Sequence, residues 1–323
     1  MSLDFNTQEY LYQMKLKAQA AARALCPFSG PPHARYGCHT PIVNYFRRKP
    51  MRFKPLSVCL LGILFSFFSF GSAWAGNIVI KGSTTVLPIA QKVAEAYMKV
   101  KPEVSISISG GGSGNGIKAI IDGTTDIADS SRFIKDKEIK LAMSNDVYPV
   151  PFAVAYDCII PVVHPSNTVG DLSAAQLKAI YKGEITNWRD VGGPDLKIVV
   201  VSRDTSSGTY EVWEEKIMNK ERVYPGALLQ ASNGAVAQAV SKNKNAIGYI
   251  GIGYINDELK ALTVNGIKGS EETTLNGLFP VSRPLYMFTN KWPKEEILDF
   301  INFVIHPQKG QALVREAGFV PLY

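Results

Sequence analysis

An arginine, two serines, a glycine and a threonine stand between an apolar run and a helical pattern in VVVSRDTSSGTYEVWEE, residues 199–215. The guanidinium of Arg203 can offer a fork of hydrogen-bond donors to an oxyanion. Ser207 and Thr209 add hydroxyl donors, and Gly208 lets backbone N–H groups come close to a ligand. Because no lysine, cysteine or histidine lies beside them, the pattern predicts that a tetrahedral oxyanion is bound here rather than transformed.

Two other segments place serine, threonine and glycine at the same kind of junction, KGSTTVLP at 81–88 and SGGGSGNGIKAI at 109–120. A helix N-terminus presents unpaired N–H groups and the positive end of the helix dipole, so it can hold an anion without a lysine. One such segment is most often only a helix cap, but three in one chain favour an anion site. The glycine-rich segment fits neither nucleotide-binding pattern, Walker A or G-x-G-x-x-G, nor the G-x-S-x-G of serine hydrolases.

The elements that must position these segments alternate between strand and helix. NIVIKG (77–82) and VSISIS (104–109) are typical of strands, whereas VLPIAQKVAEAYMKVKP (86–102) repeats apolar residues at helical spacing. This alternation predicts an α/β fold with a layered sheet. Further strands are expected in 147–167, 197–203 and 283–290, and further helices in 173–183, 209–219 and 294–318.

The formal net charge of +7 is concentrated before residue 76, where nine lysines and arginines accompany two acidic residues. The rest of the chain carries equal numbers of basic and acidic residues, so its formal charge is zero. A neutral body lacks the basic face that nucleic acid requires. We therefore expect no nucleic-acid partner.

Residues 51–75 have the layout of a secretory signal peptide. Arg52 and Lys54 precede an apolar stretch, which closes on the small residues of the AWA tripeptide ending at Ala75. We expect cleavage after Ala75, because the apolar stretch is shorter than the roughly 20 residues that span a membrane. A transmembrane anchor is the alternative.

Residues 1–50 stand upstream of this signal and have a composition that supports no domain. We interpret them as a non-native extension and Met51 as the true start. The alternative is a cytoplasmic extension before an uncleaved anchor. Of the four cysteines only Cys158 follows the signal peptide, and a lone cysteine neither closes an intramolecular disulfide nor holds zinc by itself. We expect it to be a buried small hydrophobe.

The chain resembles the periplasmic phosphate-binding proteins that serve Pst-type ABC transporters. The resemblance covers nearly all of residues 76–323, and its motifs are specific in combination. They are KGSTTVLPIA, GGGSGNGIKAIIDGTTDIADSSR, LSAAQLKAIYKGEITNWRDVGG, VSRDTSSGTY, NAIGYIGIGYI, RPLYMFTN and GFVPLY.

This resemblance implies a two-lobed periplasmic binding protein of type II, which closes on its ligand like a venus flytrap. Two hinge crossings are expected, one in PFAVAYDCII and one in AIGYIGIGY. Lobe 1 would then comprise residues 76–156 and 252–323, and lobe 2 residues 157–251.

The resemblance also implies a set of phosphate-binding residues. The best-studied members place an aspartate after the third strand, where it accepts the proton of hydrogen phosphate. Ser131 stands at that position here, so the group that would reject sulfate is missing from this loop, and Asp129, Asp157 and Asp204 are the alternatives. Arg132 is expected either to bind the anion or to form a structural ion pair. The full expected set is Ser83, Thr84, Thr85, Ser113, Ser131, Arg132, Arg203, Ser207, Gly208 and Thr209.

The function that the resemblance implies is capture of inorganic phosphate in the periplasm and its delivery to the permease subunits of an ABC transporter, by a monomer without cofactor or metal. A binder of another oxyanion, such as sulfate or molybdate, and a phosphate sensor stay open as alternatives. A serine hydrolase or phosphatase using Ser207 is disfavoured, because it needs a base against the serine or a cluster of metal ligands. Only His164 and His306 follow the signal peptide, both before a proline.

Overall fold

Strands and helices alternate through residues 76–323, the part of the chain that the computed structural model describes. The predicted extension 1–50 and the predicted signal peptide 51–75 lie outside these residues. The described residues belong to one unit of internal contacts, Gly71–Tyr323. Within them, no helix is both long enough and apolar enough to cross a membrane.

The expected strands and helices are present, and further strands and helices lie between them. The strands are β1 (Asn77–Gly82), β2 (Ser105–Gly110), β3 (Ile127–Ser130), β4 (Pro149–Val163), β5 (Asp171–Leu172), β6 (Val199–Arg203), β7 (Leu228–Gln230), β8 (Ala246–Gly251), β9 (Lys260–Ala261), β10 (Thr263–Val264) and β11 (Ser282–Asn290). The helices are α1 (Leu87–Val100), α2 (Ser113–Ile121), α3 (Asp136–Ser144), α4 (Ala174–Lys182), α5 (Gly208–Lys216), α6 (Asn233–Ser241), α7 (Glu271–Leu275), α8 (Glu295–Ile305) and α9 (Gly310–Glu316).

Three parallel strands form one side of the main sheet, in the order β2-β1-β3. Their C-terminal ends lie together, because Gly82 of β1 pairs with Gly110 of β2 and with Asp129 of β3. Helix α1 follows β1 and buries Ile89, Val93 and other residues of its predicted apolar face. Ligands of α/β sheets bind outside the carboxyl ends of such strands, so this edge is where a site is expected.

The long strand β4 joins two parts of the sheet. From Pro149 to Cys158 it pairs antiparallel with β11, and from Ile159 to Val163 it pairs with β8. The full order is β2-β1-β3-β11-β4-β8-β6-β7, with β9 also beside β4, whereas β5 and β10 form a separate pair. The predicted α/β class is confirmed, and the long extended segment predicted in 147–167 is this strand.

The two larger hydrophobic cores lie on the two sides of the partner change in β4, and a third, smaller cluster packs α2 and α3 against β3 and β11. One core combines β1, β3 and β11 with α1, α8 and α9, and includes Ile80 and Phe300. The other combines the end of β4 with β6, β8, α4, α5 and α6. It contains Trp188 and the stacked rings of Trp213 and Tyr249, whose centroids are 4.4 Å apart.

The stretch between β8 and β11 packs against both cores, since Ile252 and Tyr254 contact each of them. Leu259, Phe279 and Val281 pack in the second core, although residues from 252 onward were expected to belong with the first. Strand β11, which begins at Ser282, is the element that rejoins the first core through its pairing with β3 and β4. The packing of this stretch against both cores leaves the position of the second hinge crossing a prediction.

Candidate functional site

The segments that the sequence singled out meet at the edge where β1, β2, β3 and β6 end. Thr85 Oγ1, in the loop after β1, lies 2.9 Å from Thr209 Oγ1 in the first turn of α5, although 124 positions separate the two residues. Ser113 Oγ, at the start of α2, lies 3.1 Å from Ser131 Oγ after β3. All these side chains are buried. The structure thus gathers hydroxyl groups from three loops and from the end of β3.

The start of α5 sits directly against the start of α2. A Cβ atom added to Gly208 would lie 2.4 Å from Ser113 Oγ and 2.7 Å from Ser131 Oγ, so only glycine fits between them. Ser207 is the N-cap of α5, and its Oγ accepts a hydrogen bond from Tyr210 N at 3.3 Å. Two helix N-termini therefore meet at this point, and both contribute positive potential.

The loop after β1 is shaped by Ser83 and offers two threonine hydroxyls. Ser83 N donates to Asp129 O at 2.8 Å, and Ser83 Oγ accepts from Thr85 N at 3.1 Å. The amide Nδ2 of Asn233, at the start of α6, lies 2.9 Å from Thr85 Oγ1 and 3.2 Å from Thr84 Oγ1. Ser83 is thus used in the turn itself, whereas Thr84 and Thr85 point into the cluster of polar side chains.

Arg203 is a buried cation that no carboxylate holds closely. It is 1% exposed, and its Nε and Nη2 each donate to a backbone carbonyl, Gln230 O and Ala231 O, at 3.0 Å. The nearest carboxylate oxygen, in Asp204, is 3.7 Å from Nη2. Among the described residues Nη1 has no hydrogen-bond partner. Burial lowers the pKa of this guanidinium because water no longer solvates its charge.

Arg132 is already occupied by carboxylates. Its Nη1 and Nη2 bind the two carboxylate oxygens of Glu138 at 2.8 and 2.7 Å, and its Nε lies 2.8 Å from Glu211 Oε2 in α5. Lys135 Nζ also lies 2.5 Å from the same oxygen. Burial acts to lower the pKa of Arg132, but the two glutamates outweigh it and raise that pKa. Of the two roles expected for Arg132, the geometry favours the structural ion pair.

The expected set lacked two polar residues at the centre of this cluster, Asn233 and Arg283, and Asp157 was considered only as an alternative proton acceptor, not as the partner of Arg283. Arg283 Nη2 lies 3.0 Å from Thr209 Oγ1 and 3.3 Å from Thr85 Oγ1. The signal in each case is a polar residue within an apolar strand, as in AYDCII and VSRPLYMF, or one at a helix start, as in ASNGAVAQAV. A buried charge in an apolar strand needs a partner, and this is the clue that could have located the pair Asp157 and Arg283.

The three aspartates considered as proton acceptors have different surroundings. Asp157 is held by Arg283 and by Ile252 N, which donates to its Oδ1 at 3.0 Å. Asp204 accepts from Ser206 N at 2.9 Å and from the Ser206 hydroxyl, which closes a local turn. Asp129 lies in β3, is 2% exposed, and its Oδ1 has no hydrogen-bond partner within residues 76–323.

Burial raises the pKa of Asp129 well above its ordinary value, because no donor or cation stabilises its carboxylate. The carboxyl of Asp129 therefore ionises at a higher pH in the folded protein than in the unfolded chain, where it ionises near pH 4. The contribution of Asp129 to the free energy of unfolding is fully present below about pH 4 and is lost as the pH rises through the folded-state pKa, with a slope of about 1.4 kcal/mol per pH unit. We expect Asp129→Asn to remove this loss, so that the variant gains free energy of unfolding over the wild type between pH 4 and pH 8.

Urea unfolding curves at pH 4, 6 and 8 measure this difference. Asp257→Asn is the control, because Asp257 is exposed on the surface and its replacement should leave the pH dependence unchanged. If the free energy of unfolding changed with pH in the same way for the wild type and for Asp129→Asn, the raised pKa of Asp129 would be contradicted.

The whole arrangement can bind an anion but is not built to transform one. Its polar groups are hydroxyls, helix N-termini and the guanidiniums of Arg203 and Arg283, and the carboxylate in contact with them, Asp157, is paired. No base stands against Ser207 within the described residues: His164 and His306 each accept a backbone N–H two residues further on, at 3.1 Å. Acyl or phosphoryl transfer through the serine would need such a base.

Comparison with known proteins identifies what the chain is similar to. A family model described as a PBP superfamily domain matches residues 71–308. The phosphate-binding protein PstS of Staphylococcus aureus (strain USA300) is 34% identical over 270 residues, which are 77% of this chain and 81% of that protein. Protein SphX of Synechococcus elongatus is 32% identical over 268 residues, or 78% and 79% of the two chains.

Solved structures give the same result. One is a crystal structure, with bound phosphate, of a substrate-binding protein assigned to phosphate ABC transport in Clostridium perfringens. It superposes with a TM-score of 0.72 at 34% identity, and the match covers 77% of this chain and 100% of the other. An ABC-type phosphate transport receptor from Vibrio cholerae superposes with a TM-score of 0.62 at 33% identity, and the match covers 75% of this chain and 99% of the receptor. The similarity therefore extends over the whole length of the described fold.

Proposed function

Because the chain belongs to the PBP superfamily and, within it, to the PstS family of phosphate-binding proteins, we propose that it captures inorganic phosphate where β1, β2, β3 and β6 end. Membership of this family makes the protein a two-lobed solute-binding protein and not an enzyme. Delivery of the captured phosphate to an ABC transporter completes the proposed function.

The observation that carries the proposal is the contact between two helix N-termini, at Ser113 and Gly208, within a buried cluster of hydroxyls from separate loops. An oxyanion removed from water needs several donors at once, because each unsatisfied oxygen is costly. Arg203 supplies positive charge that no carboxylate cancels at hydrogen-bond distance. From the expected set, the proposed ligands are Thr84, Thr85, Ser113, Ser131, Arg203, Ser207, Gly208 and Thr209, with Ser83 shaping its loop and Arg132 bound to glutamates.

We propose that the two hydrophobic cores are the two lobes. Lobe 1 would comprise residues 76–158 and 282–323, and lobe 2 residues 159–281, which revises the boundaries that the resemblance implies. The partner change in β4 and the stretch before β11 would be the two hinge crossings. Closure of the lobes would then bring Thr85 and Thr209 together around the anion.

The proposed location is the periplasm, reached through a signal peptide that is cleaved after Ala75. The proposed partners are the permease subunits of an ABC transporter at the inner membrane, to which the protein would deliver phosphate as a monomer. Both proposals rest on the sequence of residues 51–75 and on the relatives, whose names assign them to phosphate binding and transport.

Calorimetric titration with phosphate tests the function directly. We expect saturable binding of one phosphate per chain at both pH 5 and pH 8. Sulfate is titrated in parallel, since it matches phosphate in shape but carries no proton at either pH. Absence of phosphate binding at both pH values would refute the proposed function.

A second candidate function, binding of another tetrahedral oxyanion, is favoured by one observation. Ser131 stands where a carboxylate acceptor was expected, and its Oγ contacts Ser113 Oγ rather than an acidic group. Such a site could accept sulfate or molybdate as readily as phosphate. Equal affinities for phosphate and sulfate would select this alternative, and unimpaired phosphate uptake in cells that lack the protein would select a sensory role.

A further inference from the structure

Arg283 and Asp157 form an ion pair across two neighbouring strands. They occupy opposite positions in the register of β11 and β4. Arg283 donates to Asp157 Oδ2 from Nε at 3.0 Å and from Nη2 at 2.7 Å, and both side chains are buried. None of the motifs that define the loops includes this pair, and the proposed function does not require it.

The contacts of Arg283 extend beyond this pair. Its Nη2 also reaches Thr85 Oγ1 at 3.3 Å and Thr209 Oγ1 at 3.0 Å, the hydroxyls of the two loops that come from opposite cores. Its Nη1 is buried and has no hydrogen-bond partner in residues 76–323. A guanidinium has five donor N–H groups, so donors are left over at the point where the proposed ligands meet.

The two guanidiniums of this region differ in how closely a carboxylate approaches them. Arg203 and Arg283 are close enough for the charge of Arg283 to help lower the pKa of Arg203, after the larger effect of burial. Asp157 neutralises one of the two guanidiniums, and Asp204 lies 3.7 Å from the other and is partly exposed. Because buried ion pairs seldom stabilise a fold more than apolar residues do, stability alone does not explain why this pair is present.

We propose that Arg283 is a second guanidinium that binds the oxyanion, together with Arg203, and that Asp157 is the positioning residue that holds it. The inference rests on the proposed function, since it concerns the same site. It adds a residue from β11, outside the three loops, to the groups that contact the ligand. The Nη1 group and the shared hydroxyls of Thr85 and Thr209 would then form one continuous set of donors.

The double variant Asp157→Asn/Arg283→Gln separates binding from structure. It removes both charges and keeps similar side-chain sizes, so no buried charge is left without a partner. We expect it to fold, as judged by circular dichroism and thermal unfolding, and to bind phosphate at least about tenfold more weakly than the wild type. A folded double variant with wild-type affinity would overturn the inference. The control is Arg315→Gln, since Arg315 forms an exposed ion pair with Glu271.

The single variants are compared by the rise in Tm that phosphate causes, a quantity that would not change if the ion pair were only structural. Asp157→Asn leaves the charge of Arg283 without its carboxylate, so we expect a lower Tm without phosphate and a larger rise in Tm when phosphate is added. An unchanged rise would contradict a ligand role for Arg283. If the double variant does not fold, Arg283→Lys is the test to use. Lysine keeps the positive charge but lacks the planar set of guanidinium donors. Wild-type affinity for phosphate in this variant would overturn the inference.

These outcomes stay distinct from failure of the proposed function. A wild-type protein that binds no phosphate refutes the function itself. A wild type that binds phosphate, beside a folded double variant that binds it equally well, refutes only the role of Arg283.

Discussion

Arg203→Gln is expected to weaken phosphate binding by roughly 30-fold or more, which corresponds to about 2 kcal/mol. The reason is that Arg203 is a buried cation whose charge no carboxylate cancels at hydrogen-bond distance. An anion placed among neutral donors gains most from such a charge, because little water is present to screen it. Calorimetric titration measures the change in Kd, and thermal unfolding checks that the variant is folded.

Two further variants make this result specific. Arg189→Gln removes an exposed arginine that pairs with Asp195 at 3.2 Å, and it should bind phosphate like the wild type. Arg203→Lys keeps the charge but not the planar fork, so its affinity should lie between those of the wild type and Arg203→Gln. An affinity of Arg203→Gln within threefold of the wild type would remove Arg203 from the site.

Gly208→Ala is expected to lower both affinity and stability. Its new Cβ would lie 2.4 Å from Ser113 Oγ and 2.7 Å from Ser131 Oγ, so the start of α5 must move away from α2. Overpacking of this kind costs about 1–3 kcal/mol of unfolding free energy. Because the displaced helix N-terminus would no longer align its donors, we also expect the Kd for phosphate to rise at least about tenfold.

The control for this substitution is Gly170→Ala. A Cβ added at Gly170 meets no atom within 4 Å, so neither affinity nor unfolding free energy should change appreciably. Wild-type affinity in Gly208→Ala would mean that the two helix N-termini do not act together on the ligand.

The loops and helices of this fold could be predicted because their signals are local. Helix α4 begins at the capping box of Ser173 and Gln176 and ends at Gly183 in the left-handed conformation. Its boundaries therefore follow from neighbouring residues. The three loops were likewise recognisable from serine, threonine and glycine at strand ends. The meeting of the first two loops follows from parallel pairing, which places the ends of β1, β2 and β3 at one edge, whereas the third loop follows β6, which pairs with β7 and β8.

Asp157, Asn233 and Arg283 could not be placed from local signals. Whether Asp157 faces Arg283 depends on the register between β4 and β11, and a shift of one residue would turn the side chain to the other face. That register is set by the packing of both strands in the sheet, far apart in sequence. A polar residue in an apolar strand indicates that a partner exists, but it does not say which residue the partner is.

The two roles weighed for Arg132 were equally compatible with its sequence context. The ion pair is favoured by the contacts of Arg132 with Glu138 and with Glu211, and Glu211 lies in α5, far from Arg132 in the sequence. The position of the second hinge crossing likewise depends on packing that the local sequence does not report. The glycines of AIGYIGIGY suggest a hinge, but the side chains of 259–281 find their apolar partners in the second core, and packing decides which core a segment joins.

The position of β11 has a consequence for the order of folding. This strand lies between β3 and β4, so the sheet of the first core stays open until residues 282–290 arrive at the end of the chain. The second core is assembled from residues 158–281, one uninterrupted stretch. Contacts between segments distant in sequence form late, because closing a long loop costs entropy before any contact is gained. The middle of the polypeptide should accordingly acquire protection from hydrogen exchange first, and its two ends should become ordered together afterwards.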